Sequence, residues 1–217
     1  MTVYYVLDVV MATLVIFLIY KIPYIVGWWG ERFVSSKLSE LSGEKYKIFH
    51  NLLLPSNGNL ETTQIDHVIV SNYGIFVIET KSYGGSITGD NHDRNWTQFS
   101  HSNKKFFYNP KYQNYAHEKA IEMLIRPLFP NVPIISFIAF PSAKRIQVNG
   151  IFNVGHVRDV IAKIKNYNDL VISDIEKEKI IEIIENANIK DWRIRHEHNK
   201  RVRELKNKNS RSEASAV

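Results

Sequence analysis

Asp66, Glu79 and Lys81 stand out in "IDHVIVSNYGIFVIETK", residues 65–81, because the positions around them are almost continuously apolar. If Asn72 and Tyr73 are the central residues of a turn, Ser71 pairs with Gly74, and the register that follows sets Asp66 opposite Glu79. Directly opposed strand residues share a face, with Cβ atoms about 4.5–5.5 Å apart. That spacing brings two carboxylates within reach of one hard cation. Lys81 joins them because strand side chains alternate faces with period two. The chemistry open to such a cluster is attack of water on a phosphate: a cation lowers the pKa of the water and polarises the phosphate, while the lysine stabilises charge or positions the water. A slip of one residue would send the carboxylates to opposite faces. The plainer alternative is a solvated strand face with a cross-strand salt bridge. Against it, "HVIV" and "IFVI" predict strands covered on both sides, and opposed like charges repel unless a cation relieves them.

The elements that must hold this hairpin can be read around it. "GERFVSSKLSEL", from Gly30, spaces Phe33, Val34, Leu38 and Leu41 at helical intervals, and Gly43 gives it a C-terminal stop. "YKIFHNLLL" predicts a strand and "PSNGNLETT" a loop. The glycines of "YGGSITGD" suit a tight turn between strand segments, and "RNWTQFS" a further strand. Asn109 and Pro110 form a cap and first turn for a helix that carries "KYQNYAHEKAIEMLIRPL". "PIISFIAFP" is a continuous apolar run of the kind found in a buried strand, and helices are predicted near 156–165 and 173–187.

Composition narrows the chemistry. The 217 residues allow one medium domain with appendages. Lysine and arginine (28) exceed aspartate and glutamate (22), a modest basic balance that suits a polyanion or an anionic membrane. The absence of cysteine removes disulfides, thiolate metal sites and thiol nucleophiles, so a metal must sit on oxygen or imidazole. No Gly-Lys-Ser/Thr phosphate loop is present.

Residues 3–20 are apolar apart from Asp8, and Trp28 and Trp29 suit an interface, so residues 1–27 are expected to be a transmembrane anchor. The competing reading, a cleaved signal peptide, lacks a basic leader and a small-residue cleavage site. Lys21, Arg32 and Lys37 follow the segment and no basic residue precedes it, which places the C-terminal bulk in the cytoplasm of a single-pass protein. At the other end, residues 190–208 hold eight basic against three acidic residues, and "NSRSEASAV" is expected to be disordered. The tail could grip a phosphate backbone, extend a helix, or lie on anionic lipid.

Asp66 followed by Glu79-Thr80-Lys81 is similar to the acidic-residue and Glu-x-Lys signature of the PD-(D/E)xK nuclease superfamily. With Gly30-Glu31 opening a helix, the "GGSITG" turn, Trp96 and "NPKYQ", the stretch from about 28 to 125 resembles the nuclease-related domain, NERD. The resemblance implies an α/β (α+β) restriction-endonuclease-like core over 28–188, a mixed central sheet flanked by helices, preceded by the anchor and followed by a basic, partly disordered tail, 189–217. It implies a magnesium ion, or manganese, held by Asp66 and Glu79 with Glu31 as a third ligand, Lys81 as electrostatic partner and Gln113 in support. The activity it implies is a membrane-anchored endo- or exodeoxyribonuclease acting on DNA; the alternative is an inactive, membrane-tethered nucleic-acid-binding or scaffold protein of the same fold.

Several residues also have plainer readings. Glu31 suits the first turn of a helix by its dipole, and Gln113 a helix surface. Trp96 reads as core before base-stacking. His67 falls on the face opposite Asp66 and reads as a packed core histidine, while His196 and His198 read as tail residues.

Overall fold

The computed structural model describes residues 2–41, 43–58, 60–100, 103–150 and 153–214. In chain order, α1 (Thr2–Leu38) leads to β1 (Tyr46–Pro55), β2 (Thr62–Ser71), β3 (Gly74–Thr80), β4 (Gly85–Asp90), β5 (Asn95–Ser100) and β6 (Asn103–Tyr108). There follow α2 (Pro110–Ile125), β7 (Ile134–Ala139), β8 (Ala143–Asn149), β9 (Val154–Gly155), α3 (Val157–Lys165), α4 (Asp174–Ala187) and α5 (Trp192–Ala214). The fold is mixed α/β, with helices flanking mixed sheets.

Among the described residues there are two sheets instead of one central sheet, ordered β1-β2-β3-β7-β9 and β6-β5-β4-β8. The first is antiparallel through β3 and parallel from β3 to β9. Its two faces are covered differently. Val68, Val70, Ile75 and Val77 pack with Ile121 and Ile125 of α2 and Ile180 and Ile184 of α4. Ile69, Phe76 and Ile78 pack with Val34 and Leu38 of α1 and Val160 and Ile164 of α3. Every residue of β3 is buried, as expected of a strand between two neighbours with helices on both sides.

The hairpin register is the one expected: Ser71 pairs with Gly74 and His67 with Ile78. An anchor outside the hairpin pins the turn. Asn72 Nδ2 donates to Ile172 O at 3.0 Å and to Asp174 Oδ1 at 2.8 Å, and Lys177 Nζ donates to Asn72 Oδ1 at 3.0 Å.

Two expectations are corrected. Gly30 and Glu31 do not open a helix; α1 runs unbroken from Thr2 to Leu38. Two of the "GGSITG" glycines, Gly85 and Gly89, do not make a turn but lie in β4, where they permit close approach. A Cβ on Gly89 would lie 2.3 Å from the Trp96 ring, and one on Gly85, at φ +76°, 2.0 Å from Phe99 O. Within the basic tail, Trp192–Ala214 form the helix α5, one of the forms weighed for it, and residues 215–217 lie outside the described residues; Arg195 Nη2 donates to Asn51 O at 3.1 Å and to Asn188 Oδ1 at 3.0 Å, and its Nε to Ile189 O at 2.8 Å.

The anchor over 1–27 is helical from Thr2 with exposed Leu14, Ile16, Phe17 and Ile25, yet among the described residues no helix is long and apolar enough to cross a membrane. Trp96 is fully buried against Phe107 and Phe140, and its Nε1 donates to Asp90 O at 2.9 Å.

Candidate active site

The parity that sends Val68 and Val70 toward α2 sends Asp66 there too, and Val77 does the same for Glu79 and Lys81. Lys81 lies one residue beyond β3, where its backbone N–H donates to Ala139 O at 2.9 Å and keeps the ladder geometry. Opposite them, α2 is fixed at its start by Asn109, whose side chain accepts from Lys111 N–H at 3.0 Å and donates to Asp93 O at 2.8 Å. Asn114 Nδ2 donates to Phe137 O at 2.8 Å and ties the helix to β7. Gln113 and His117, one turn apart on α2, are thereby presented to the hairpin charges.

The polar contacts form one network. Lys81 Nζ lies 2.6 Å from Glu79 Oε1 and donates to Gln113 Oε1 at 2.8 Å. Glu79 Oε2 lies 3.1 Å from His117 Nε2, and His117 Nδ1 lies 2.9 Å from Thr63 Oγ1. A neutral imidazole satisfies both contacts when the Thr63 hydroxyl donates to Nδ1 and Nε2–H donates to Glu79. Thr80 N–H donates to Asp66 Oδ2 at 2.8 Å.

Glu31 comes from α1, which lies close to the end of β3, and feels the charges of Glu79 and Lys81 without a hydrogen bond to the network among the described contacts. A Cβ on Gly30 would stand 1.8 Å from Ser82 Oγ, so glycine is what lets the helix approach. Glu31 is nowhere near a helix start, and its position owes nothing to a helix dipole.

Charge tells the same story. Burial, then the charges of Glu79 and Glu31, hold the Asp66 carboxyl well above the usual carboxylate range. Burial and Glu79 raise Glu31, against the pull of Lys81. Burial would raise Glu79 as well, but the Lys81 charge and the His117 contact outweigh it and bring it down to about 2. Lys81 is raised, since the attraction of Glu79 exceeds the cost of its burial. Three carboxylates thus share one lysine, with two of them under repulsion.

The donor chemistry, all oxygen, is what a hard divalent cation takes, and the raised Asp66 and Glu31 mark negative charge that a cation would relieve. The three do not form a finished cage. Among the described residues no three His, Asp or Glu side chains are grouped to hold a metal ion, and both Glu79 oxygens are occupied by Lys81 and His117.

A cleft of about 510 Å³ opens onto this network. Asp66, Lys81, Gln113 and His117 form one side, with Tyr108 and Tyr112 beside them, and His198, Asn199, Val202 and Leu205 of α5 line it too. Glu79 does not line the cleft and connects with it through Lys81 and His117. Asp66, Glu79, Lys81 and Gln113 therefore converge, and Glu31 lies near enough for Glu79 and Lys81 to act on its charge.

His67 is, as expected, a buried histidine away from the cleft, with Nδ1 2.9 Å from His50 Nδ1. Burial and the neighbouring His50 lower it to about 3. His198 is not a free tail residue: it is buried, 2.9 Å from Thr62 Oγ1. His117 and Thr63 belong to the site although the sequence alone did not single them out. The usable signal was helical spacing, since His117 follows Gln113 by four residues.

The nuclease-related domain family profile, NERD, matches residues 26–141. An uncharacterized protein of Bacillus anthracis is 37% identical over 183 residues, covering 84% of each chain. A crystal structure of a protein of unknown function, AF1548, aligns at 14% identity with a TM-score of 0.32, over 75% of this chain and 78% of that one. That likeness is too slight to carry an argument.

Proposed function

Because the chain belongs to the nuclease-related domain family, we propose that it is a metal-dependent nuclease of the PD-(D/E)xK type, with a restriction-endonuclease-like core, that hydrolyses phosphodiester bonds of DNA. The observation that carries this reading is the meeting of Asp66, Glu79, Lys81, Glu31 and Gln113, drawn from both hairpin strands and two helices, in one charge network beside a cleft.

Asp66, Glu79 and Glu31 are the residues that would hold magnesium, or manganese, which when bound supplies a water of lowered pKa and polarises the phosphate. Lys81 stays an ammonium, because Glu79 beside it raises its pKa, and so presents positive charge where a phosphate develops negative charge. Gln113 fixes the lysine head at 2.8 Å. His117 holds the far oxygen of Glu79 and keeps the carboxylate plane from turning.

Membrane attachment belongs to this proposal. The exposed Leu14, Ile16, Phe17, Ile22 and Ile25 of α1 support an apolar partner for the N-terminal segment, and the basic residues that follow it favour a cytoplasmic domain. Resistance of the full-length protein to alkaline carbonate extraction tests the attachment.

A second reading is a membrane-tethered scaffold that binds nucleic acid without cleaving it. It is favoured by the engagement of both Glu79 oxygens with protein groups. One experiment separates the two. The purified protein is incubated with plasmid, single-stranded DNA and RNA, in magnesium, manganese or chelator. Metal-dependent cleavage lost in Asp66→Ala and Lys81→Ala supports the nuclease. Binding without cleavage in either metal supports the scaffold, and cleavage that survives both substitutions overturns the site assignment.

A further inference from the structure

The second sheet has one face in the core and one in water. Trp96 and Phe107 are buried on the inner side, with Ile146 and Val148 packed against them. Alternation then turns Phe99, Phe106 and Tyr108 outward, where they are 41%, 60% and 54% exposed. Three aromatic rings in water on one sheet face are an unusual surface, since antiparallel sheets normally present polar residues on the solvated side.

The rings are accompanied by positive charge. Lys104 pairs with Phe99 across β5 and β6, and its Nζ lies 5.8 Å from the Phe99 ring centroid and 4.8 Å from that of Phe106. On the other side of β4, Arg145 pairs with Ser86, which itself pairs with Phe99, so it falls in the same row. The acid of this face, Asp90, sits at the end of β4 and accepts from the His92 backbone N–H at 3.0 Å.

The surface also leads somewhere. Tyr108 is the last residue of β6, its ring centroid lies 5.8 Å from that of Tyr112, and both tyrosines line the cleft that holds Asp66 and Lys81. An aromatic row thus runs from Phe99 and Phe106 through Tyr108 and Tyr112 to the charge network.

We propose that the outer face of the second sheet is a binding platform for single-stranded DNA, with unpaired bases stacking on Phe99, Phe106 and Tyr108 and the backbone held by Lys104 and Arg145, which feeds the strand into the cleft. The chemistry selects a single strand over a duplex, and the nuclease reading makes that strand DNA. Exposed rings beside cationic side chains recognise bases that offer a free π-face and phosphates that offer charge. A duplex hides its base faces in its own stack, so it can use the cations but not the rings. The proposal deepens the nuclease reading by naming its substrate form, and rests on that reading.

The test is fluorescence anisotropy with the full-length protein in chelator, using a labelled oligothymidylate of about 20 nucleotides and a duplex of equal length. The single strand is expected to bind at least about 10-fold more tightly. Phe99→Ala/Phe106→Ala is expected to weaken it by about 10-fold or more, within the range for losing one or two stacked bases, and to leave the duplex within about 2-fold. Lys104→Ala is expected to lower the slope of log Kd against log salt by about 1. Should the double variant lose its cooperative thermal transition, Phe106→Ala alone carries the comparison. Unchanged single-strand affinity in these variants, or a duplex bound as tightly, overturns the platform. Failure of the two readings is separable: intact platform binding with no cleavage in magnesium or manganese overturns the nuclease and not the platform, whereas cleavage by a protein whose affinity ignores the ring substitutions overturns the platform and not the nuclease.

Discussion

His117 Nε2 lies 3.1 Å from Glu79 Oε2, both groups buried, while Lys81 holds the other carboxylate oxygen at 2.6 Å. A carboxylate with almost no access to water is thus gripped at both ends, and the grip fixes the strand, the helix α2 and the lysine relative to one another.

Removing one end should be costly. His117→Ala leaves Glu79 Oε2 and the Thr63 hydroxyl without their partner and opens a cavity, so it should destabilise the fold by about 1–3 kcal/mol. Urea unfolding gives the value. A loss under about 0.5 kcal/mol would show that the contact contributes little.

Acid should loosen the same grip. Glu79 is depressed to about 2 in the folded state, below its ordinary 4.5. Its contribution to stability is therefore fully present above about pH 4.5 and disappears as pH falls toward 2. In Lys81→Ala the main source of the depression is gone, and the decline of stability across that window should be shallower. Urea midpoints at pH 7, 4.5 and 3 measure both proteins.

Asp66 should behave with the opposite sign. Its carboxyl is raised, so the ionised form works against folding at neutral pH and acidification relieves it. In chelator at pH 7, Asp66→Asn should be more stable than the parent by on the order of 1 kcal/mol, since the amide can still accept from Thr80 N–H. A variant less stable than the parent at pH 7 would argue against repulsion among the carboxylates.

Magnesium should reverse that ranking. A ligand that binds only the folded state stabilises it by about 2.7 kcal/mol at 100 times its Kd. The melting temperature of the parent should rise with added magnesium and that of Asp66→Asn or Glu31→Gln should rise much less. Equal responses in all three would place the ion elsewhere.

Gly30 should tolerate no side chain. The added methyl of Gly30→Ala would meet Ser82 Oγ at 1.8 Å and Pro141 Cγ at 3.3 Å, so the variant should lose about 1–3 kcal/mol from overpacking. Ser82→Gly removes the first obstacle and should restore part of the loss when combined with it. Additive effects in a double-mutant cycle would falsify the contact.

The hairpin could be read from sequence because its information is local: one turn sets the register, and register sets which side chains share a face. The same held for the start of α2, where Asn109 and Pro110 carry the signal themselves. Glycines 85 and 89 misled because a sequence does not say what a glycine makes room for; their reason, Phe99 O and the Trp96 ring, lies on another strand. His117 escaped notice since its partners, Thr63 and Glu79, are 54 and 38 positions away. For α5 the composition was dominated by charge, and its contact with the core comes from Arg195 meeting Asn51, 144 positions earlier.

The continuity of α1 has a mechanical meaning. With no loop between Thr2 and Glu31, and about 1.5 Å of rise per residue, whatever grips the first turns of this helix lies some 40 Å along it from Glu31. On the nuclease reading, a loose leash would let the charge network range freely around any mooring, whereas a helical one would limit its reach to about that length.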